Sequence, residues 1–399
     1  MLSPLPPQKA GESSYTRALV EELAATGSVG VLAVTGPDAT PLNAMGGHVE
    51  TATIWRGRSL LYPLRTAMFL RWKRPHIVHV QFGPHGDVYG GMFGEPMLLL
   101  LLILRAMGLR TTVTLHSTWM LSQVVNRVRS HRGLRWLSSV AVPFFKAYMK
   151  ALDWGTDTVQ LSTVKIDSHL KRMFLVEYGW KPEKVLEIPH PCRTDMQKLD
   201  REESLNRLAL AGWQVVLMFG FVRRGKGIEM AIRAMEIVAR NQPSAMLVVA
   251  GTPIDRDGEA YLREARDLVE AKHLQQHVRF DSDFIPDSSV PLYFSASRIL
   301  LIPSTESIGA SGPMHSQAGF GIPIVASDVG LHSRQALGGN PVLFKNGDYE
   351  GLARTLLILL RNEELATKTG EGIREYALHE GWNVAAKRTL ANYAKTLRL

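Results

Sequence analysis

The chain has 399 residues, of which 45% are hydrophobic and 21% are charged. These fractions exclude a disordered, fibrous or low-complexity protein, and the length predicts two globular domains of ordinary size. A net charge of +9 and a pI near 9.6 favour anionic partners such as nucleotides, phospholipid headgroups or nucleic acid.

The first residues, MLSPLPPQKAGESS, have no basic start followed by an apolar run, so we expect no secretory signal. Their prolines also leave almost no room for the apolar strand that usually opens a doubly wound domain. Either this strand is a stub or the natural chain begins upstream of Met1, and we favour the second explanation. The single cysteine, Cys192, excludes a disulfide within the chain and fits a reducing compartment.

Apolar runs rich in Val, Ile and Leu alternate with amphipathic stretches along the chain. Strand followed by helix, repeated many times, predicts parallel sheets covered by helices on both faces. The expected fold class is therefore α/β, with two Rossmann-like doubly wound domains. The predicted strands are residues 29–34, 77–82, 110–116, 158–162, 185–189, 215–221, 245–251, 277–280, 299–303 and 323–327.

The longest apolar run, residues 97–104, is too short for a membrane span of roughly 20 residues and predicts a buried helix. We expect a cytoplasmic chain that is soluble or lies on the inner face of a membrane. The densest basic cluster, between Arg127 and Arg135, precedes the apolar residues VAVPFF and two lysines. This segment is either a helix at a lipid interface or a solvated loop before a core helix, and we favour the loop.

Prolines and charges replace the periodic pattern at residues 189–204, which we interpret as a linker. The predicted domains are 1–195 and 196–380, and a helix at 381–399 is expected to pack back onto the first domain. Two doubly wound domains joined in this way leave a cleft at the carboxyl ends of both sheets, where such folds bind ligands.

The loop VRRGKG, residues 222–227, joins a predicted strand to a predicted helix. Glycines allow a backbone to approach a ligand closely, and a helix N-terminus with a nearby lysine attracts phosphate. The loop matches neither the P-loop nor the GxGxxG pattern, so it predicts neither an ATPase nor a dehydrogenase. By itself it is either a phosphate site or a basic turn.

A second stretch, IPSTESIGASGPMHSQAGFGIPIVASDVG at residues 302–330, places Glu306 in a turn between a strand and a small-residue bend. A carboxylate beside an anion-accepting helix start suits a phosphorylated sugar, whose hydroxyls need an acceptor and whose phosphates need cations and amides.

The segments FGFVRRGKGIEMAIRAM and PSTESIGASG, in this order and at this separation, resemble the large retaining GT-B glycosyltransferase family known as family 4, or glycosyl transferases group 1. PPQKAGESSYTRALVEEL, TLHSTW and VLEIPHP are similar to further segments of that family, so the resemblance covers essentially the whole chain. It implies two Rossmann-like domains and transfer of a hexose from a nucleotide-diphosphate sugar with retention of configuration. The implied acceptor is a glycan, a lipid-linked molecule or a small molecule, and no cofactor or metal is implied.

The resemblance assigns catalytic roles to Glu306, His116, Arg223 and Lys226. Arg223 and Lys226 are expected to bind the diphosphate, Glu306 the sugar hydroxyls, and His116 the sugar near the reacting carbon. The implied donor-binding residues are Gly11, Arg223, Lys226, Phe284, Ile285, Glu306, Ser307, Ile308, Gly309, Ala310, Ser311 and Ser316.

Residues 79–91 combine polar side chains with glycines after a predicted strand, so this segment is either an acceptor-side loop contributing Gln81, His85 and Tyr89 or an ordinary long loop. The acidic pair in DSD, residues 281–283, superficially matches a metal-binding motif, but two acids in a loop are usually solvated.

The sequence departs from the family where a second glutamate, which holds the ribose, is expected. Counting from Glu306 gives Met314, and counting back from GFGIP gives Ser316, so neither position is a carboxylate. Either Ser316 or His315 is then left to contact the ribose. Gly11 also stands alone where two glycines are common. These departures motivate a rival, a non-catalytic protein that binds a nucleotide-sugar. A nucleic-acid binder, motivated by the charge, is disfavoured because no nucleic-acid-binding module is recognised.

Overall fold

The structure, a computed structural model, describes residues 1–8, 10–36, 38–42, 49–55, 61–83, 86–117, 120–130, 138–165, 168–305, 311–329 and 336–398. The chain divides into two compact units. The first unit comprises residues 1–189 and 382–399, and the second comprises residues 190–381.

The strands of the first unit are parallel to one another wherever they pair. β1 pairs with β2, and β3 to β6 form a four-stranded sheet in chain order. Leu2 forms single bridges to Val34 of β1 and Val80 of β3, so a one-residue stub occupies the place of an opening strand between these two groups. The six strands are β1 (Val31–Thr35), β2 (Val49–Thr53), β3 (Val78–Phe82), β4 (Thr111–Leu115), β5 (Thr158–Thr163) and β6 (Val185–Pro189).

Helices connect these strands, and the C-terminal helix (Trp382–Arg398) belongs to the same unit, packed against the first helix, β4 and β6. The connecting helices are α1 (Gly11–Ala25), α2 (Tyr62–Lys73), α3 (Gly86–Tyr89), α4 (Glu95–Ala106), α5 (Leu121–Ser130), α6 (Ala141–Gly155) and α7 (His169–Tyr178), and a 3-10 turn spans Pro182–Lys184.

The predicted buried helix at residues 97–104 is α4, in which Met97, Leu100, Leu101 and Leu104 are buried. No helix in the described part of the chain is both long enough and apolar enough to cross a bilayer. Of the basic cluster, residues 131–137 and the side chain of Arg127 lie outside the described residues.

The second unit is a six-stranded parallel sheet in the order β12-β11-β10-β7-β8-β9. Renumbered from its first strand this is the order 3-2-1-4-5-6 of a doubly wound fold, in which the chain changes direction across the sheet between β7 and β10. The strands are β7 (Gln214–Phe219), β8 (Ala245–Ala250), β9 (Val278–Asp281), β10 (Ser297–Ile302), β11 (Ile324–Asp328) and β12 (Val342–Lys345).

The helices of the second unit are α8 (Arg201–Arg207), α9 (Ile228–Asn241), α10 (Arg256–Ala271), α11 (Val290–Ala296), α12 (Gly312–Ser316), α13 (Tyr349–Arg361) and α14 (Glu363–His379), with 3-10 turns at Ala318–Phe320 and Ala336–Gly339. Helices α9, α10 and α13 share one core with the central strands. Because these strands are covered on both faces, they read as continuous apolar runs in the sequence. The predicted α/β class with two parallel sheets is confirmed.

Candidate functional site

A pocket opens in the second unit where β7 and β10 end. These two strands are neighbours, and the order of strands reverses between them, which is where open α/β sheets bind ligands. The pocket encloses about 400 Å³ including its open mouth. Its walls are formed by Met218, Phe219, Gly220, Phe221, Val222, Lys226, Ile228, Val249, Leu301, Ile302, Pro303, Ser304, Ser311 and Pro313.

The basic loop, residues 222–227, forms one side of this pocket and is shaped by glycines. Gly225 and Gly227 have φ angles of +83° and +74°, in the left-handed region that other residues rarely adopt. A Cβ atom on Gly227 would lie 1.9 Å from the carbonyl oxygen of Pro303. The loop backbone therefore packs directly against the segment that leaves β10, and a side chain at this position is excluded.

A hydrogen bond joins the two sequence motifs. The amide of Thr305 donates to the carbonyl of Gly225 at 2.9 Å. The carbonyl of Thr305 accepts from Asn346 Nδ2 at 3.0 Å, and the carbonyl of Ser304 accepts from the hydroxyl of Ser327. The predicted site residues Glu306, Ser307, Ile308, Gly309 and Ala310 lie outside the described residues. The residue immediately before Glu306 is thus held against the basic loop.

Helix α9 begins directly after the basic loop, and its first amide is already paired. The amide of Ile228 donates to the hydroxyl of Tyr261 at 2.9 Å, and this hydroxyl donates to the carboxylate of Glu229. Burial, together with the hydrogen bond to Glu229, raises the pKa of Tyr261 above its usual value. The N-terminus of a 14-residue helix thus lies beside the pocket, with its partial positive charge directed toward that end.

The three cations of the loop have different surroundings. Arg224 donates to both carboxylate oxygens of Glu264, at 2.9 and 2.6 Å, and to Asp257 at 3.0 Å. Its guanidinium also lies 5.4 Å from the ring centroid of Tyr261. Arg224 is therefore committed to the face of α10 and anchors the loop.

Lys226 and Arg223 are not committed in this way. Lys226 is half-buried in the pocket wall, where desolvation and then the positive charge of Arg223 lower its pKa to about 8. Arg223 is exposed, and the described residues give it no ion pair. Two cations in this region are therefore available to an anion, and their binding of a diphosphate stays a prediction.

Helix α12 contains both positions at which the family's second glutamate is expected, and the two positions differ in burial. Met314 is only 3% exposed and belongs to the core, whereas Ser316 is half-buried and its hydroxyl accepts from Gln317 Nε2 at 3.2 Å. Between them, His315 is buried and hydrogen-bonded through Nδ1 to the carbonyl of Ser311 at 2.9 Å. Of the two positions, only Ser316 offers a polar group, and Ser311 lines the pocket itself.

The segment after β9 forms the edge of the sheet, two strands away from β7. Phe284 is 70% exposed and Ile285 is half-buried, and neither is in the pocket wall. The Asp281 carboxylate accepts from Arg279 Nε at 2.7 Å and from the hydroxyl of Tyr293 at 2.8 Å. Among the described residues no group of three or more acids, histidines or cysteines could hold a metal ion.

In the first unit, His116 lies at the carboxyl end of β4 and is half-buried. Its Nε2 donates to Gln81 Oε1 at 2.7 Å, and the edge of its ring meets Tyr15 at a centroid distance of 4.6 Å. Gly11 is the exposed first residue of α1, and a Cβ atom there would meet nothing within 4 Å. The space over Gly11 is thus open.

Two predicted acceptor-side residues need correction. Gln81 and Tyr89 have no exposed surface, because Gln81 is enclosed in the sheet and Tyr89 stacks on Trp55 at 5.4 Å. The Tyr89 hydroxyl donates to the carbonyl of Gln81 at 2.7 Å. Both side chains therefore support the end of β3 and do not face an acceptor. The third residue, His85, lies outside the described residues.

Sequence reasoning missed the contacts that hold the basic loop. Asp257, Tyr261 and Glu264 share one face of α10 at helical spacing, and together they fix Arg224 and the start of α9. The spacing is visible in the sequence, but it looks like an ordinary charged surface until the loop is known to lie over it.

Known proteins resemble this chain in sequence and in structure. Residues 200–376 match the family model described as glycosyl transferases group 1. Over 219 residues the chain is 25% identical to spore coat protein SA of Bacillus subtilis, a match that covers 52% of this chain and 55% of that protein. The chain thus spans about half the length of this curated relative.

Solved structures match almost the whole chain. HepE of Anabaena, solved in complex with UDP, has a TM-score of 0.73 at 14% identity over 99% of both chains. Sucrose-phosphate synthase of Thermosynechococcus elongatus has a TM-score of 0.75 at 19% identity, over 99% of this chain and 97% of that chain. These likenesses confirm the GT-B fold predicted from the sequence.

Proposed function

Since residues 200–376 match the family model of glycosyl transferases group 1, we propose that the chain transfers a hexose from a nucleotide-diphosphate sugar to an acceptor, with retention of configuration. The observation that carries this proposal is the pocket at the ends of β7 and β10. Lys226 lines it, and a 2.9 Å hydrogen bond brings the segment preceding Glu306 against the same loop.

The donor diphosphate suits the cations of the loop that form no ion pair with the described residues. Arg223 and Lys226 provide charge, and the N-terminus of α9 adds its dipole. Arg224 is excluded from this role because Glu264 and Asp257 already neutralise it. We propose that Glu306 binds the sugar hydroxyls and that the backbone next to Glu306 contacts the sugar and the phosphates. The ribose contact falls to Ser316, and the base to the segment at Phe284 and Ile285.

The proposed chemistry is a displacement on one face of the sugar. The bond between the anomeric carbon and the donor phosphate oxygen breaks, and the acceptor oxygen forms its bond to this carbon on the same face. The acceptor proton passes to the departing phosphate oxygen. Lys226 and Arg223 stabilise the negative charge that develops on the diphosphate, so the step requires no metal ion. His116 and Gly11 of the first unit are assigned to the sugar and the phosphate.

We propose UDP as the donor nucleotide. Support comes from HepE, whose structures were solved in complex with UDP, with UDP and glucose, and with UDP-glucose. The test is a thermal-shift screen with UDP, GDP and ADP sugars. A selective rise in melting temperature with UDP sugars is expected, whereas a rise with GDP or ADP sugars alone would overturn the choice of base.

The acceptor we propose is a glycan or a lipid-linked molecule met on the cytoplasmic side. The rival function is a nucleotide-sugar-binding protein without turnover, motivated by Met314 and Ser316 at the place of the second glutamate. Hydrolysis or transfer of the donor by the wild type, lost in Glu306→Gln while donor binding remains, supports the enzyme. Donor binding without turnover by the wild type, with every acceptor class tried, supports the rival.

A further inference from the structure

Helix α2 has an exposed face that is apolar along its length. Leu61, at the N-cap, and Leu64, Met68 and Trp72 are exposed by 56%, 53%, 65% and 72%. The opposite face of the same helix is packed into the first unit through Tyr62, Pro63, Thr66, Ala67 and Leu70. A helix that is apolar on both sides is normally buried on both sides, yet the described residues leave the outer face of α2 uncovered.

The exposed residues form a narrow stripe with arginines on both sides. At about 100° per residue, the four apolar positions cover roughly 80° of the helix surface. Arg71 lies about 20° beyond one edge of this stripe and Arg65 about 20° beyond the other. Both arginines are exposed, and no ion pair of either is found among the described residues. An apolar centre with cations on both flanks is the pattern of a helix that lies in a lipid interface.

The helix itself and the residues that follow it carry no negative charge. Residues 61–83 include Arg65, Arg71, Lys73 and Arg74 but no aspartate or glutamate. Lys73 is paired with Glu50 at 2.5 Å and lies 5.2 Å from the ring centroid of Trp72. The charge of this surface therefore complements an anionic partner and repels a basic one.

The apolar surface continues onto neighbouring helices. Helix α2 packs on α4, and α4 packs on α6. Helix α4 exposes Leu99 by 48%, and α6 exposes Phe144 by 53% and Trp154 by 60%. Lys146 and Lys150 are also exposed on α6. Three adjacent helices thus expose large apolar side chains interspersed with cations.

We propose that this face, which includes the stripe of α2, docks the first unit onto an anionic lipid bilayer. Leu64, Met68 and Trp72 enter the boundary between headgroups and acyl chains, and Arg65 and Arg71 contact the lipid phosphates. Tryptophan favours this depth because its ring is apolar and its N–H is polar. The inference does not depend on the proposed transferase activity, since it rests only on the exposed surface of α2 and its neighbouring helices in the first unit.

The test uses a unique thiol on α2. Cys192 is the only cysteine and is fully buried, so Met68→Cys introduces a single exposed site for a polarity-sensitive fluorophore. The probes are phosphatidylcholine vesicles with and without about one-third phosphatidylglycerol. We expect a blue shift of the label only with the anionic vesicles. The matched control is Ile358→Cys, on an exposed helix position of the second unit, which should show no shift.

Vesicle co-sedimentation of unlabelled variants completes the experiment. Met68→Ser with Trp72→Ser should lower the affinity for anionic vesicles by about tenfold or more, because two apolar side chains no longer enter the interface. Arg65→Gln with Arg71→Gln should lower it roughly 25-fold, at about 1 kcal/mol for each charge. Ile358→Ser and Arg354→Gln, on α13, are the matched controls and should bind as the wild type does.

Several results would overturn the proposal. One is wild-type protein that remains in the supernatant with the anionic vesicles, and another is equal binding by the wild type and both α2 double variants. A wild-type dimer in solution that the same variants convert to monomer would show that a second copy covers this face instead. Circular dichroism and the melting temperature establish that each variant is folded.

Discussion

Lys226 makes donor binding dependent on pH in a defined direction. Its pKa of about 8 in the free protein means that the ammonium is present below that pH and is lost as the pH rises through it. We therefore expect the affinity for a UDP sugar to be constant below about pH 7 and to fall by up to about tenfold per pH unit above 8. Titration calorimetry across this range measures the effect.

The control for this prediction is Lys226→Arg. A guanidinium remains charged throughout the range, so the fall in affinity above pH 8 should disappear even if the affinity itself decreases. A nucleotide sugar is the right ligand because the terminal phosphate of a free nucleotide titrates at about pH 6. An unchanged affinity profile in Lys226→Arg would mean that another group causes the pH dependence.

Gly227 is required by space as well as by conformation. Its φ angle of +74° disfavours any other residue, and a Cβ atom would lie 1.9 Å from the carbonyl oxygen of Pro303. Gly227→Ala should lower the free energy of unfolding by about 2 kcal/mol or more, measured by urea denaturation. It should also weaken donor binding, because the basic loop must move away from β10.

Gly212→Ala is the control that separates the cost of the positive φ angle from the cost of the contact with Pro303. Gly212 has a φ angle of +80°, and nothing lies within 4 Å of the position of its Cβ atom. Because only the conformational cost applies, Gly212→Ala should lower the free energy of unfolding by about 1 kcal/mol and leave donor binding unchanged. Equal losses in the two variants would show that the contact with Pro303 contributes little.

At the scale of elements, the C-terminal helix reaches His116 through a partly buried chain of hydrogen bonds. The Tyr393 hydroxyl pairs with His79 Nδ1 at 2.7 Å, and His79 Nε2 lies 3.2 Å from Gln81 Nε2. Gln81 Oε1 then accepts from His116 Nε2 at 2.7 Å. Burial holds the pKa of His79 well below its usual value, so this ring stays neutral within the chain. Tyr393 is thus a positioning residue for His116.

Tyr393→Phe should reduce kcat several-fold while the KM for the donor stays within about twofold, because the change disturbs His116 and leaves the donor pocket intact. The free energy of unfolding should fall by about 1–2 kcal/mol. The matched control is Tyr148→Phe, since Tyr148 is also buried in the first unit and its hydroxyl donates to the carbonyl of Phe93 at 2.8 Å. If kcat falls as much in Tyr148→Phe as in Tyr393→Phe, the loss comes from lower stability and not from the position of His116.

The interior strands were predictable from the sequence because both of their faces are buried. The predicted strand 158–162 differs from β5 by one residue, and 245–251 differs from β8 by one residue. The two strands that the sequence did not predict, β2 and β12, pair on one side only, with β1 and β11. β2 has the sequence VETAT and no fully buried residue, so it lacks the apolar run on which prediction depends.

The candidate site was predictable only in part, for a related reason. Glycines and cations at the end of β7 have a local chemical meaning, so the sequence identifies the loop as either a phosphate site or a basic turn. The roles of Arg223 and Lys226 come from the family resemblance and stay predictions. Arg224 pairs with Asp257 and Glu264, which lie 33 and 40 residues further along the chain, so the sequence of the loop does not show these contacts. Gln81 and Tyr89 have polar side chains that suggest a surface, and only the packing of the first unit shows that they are buried.

At the scale of the whole molecule, the second unit contains the pocket, the basic loop and the segment that leads to Glu306. The first unit contains His116, Gly11 and the stripe of α2. The proposed donor contacts lie mainly in the second unit, with His116 and Gly11 in the first, whereas docking on lipid depends on α2 and includes none of the donor-binding residues. Variants of α2 should leave the affinity for a soluble UDP sugar unchanged, and variants of Lys226 should leave vesicle binding unchanged.

The central claim is that the pocket at the ends of β7 and β10 binds a nucleotide diphosphate through Lys226. Titration calorimetry of UDP into the wild type, Lys226→Ala and Lys272→Ala tests it most directly, since Lys272 is a lysine of the same unit already paired with Glu236 at 2.9 Å. We expect binding by the wild type and Lys272→Ala, and a loss of about tenfold or more in Lys226→Ala. Equal affinity in all three proteins, or no binding of UDP by the wild type, would contradict the account.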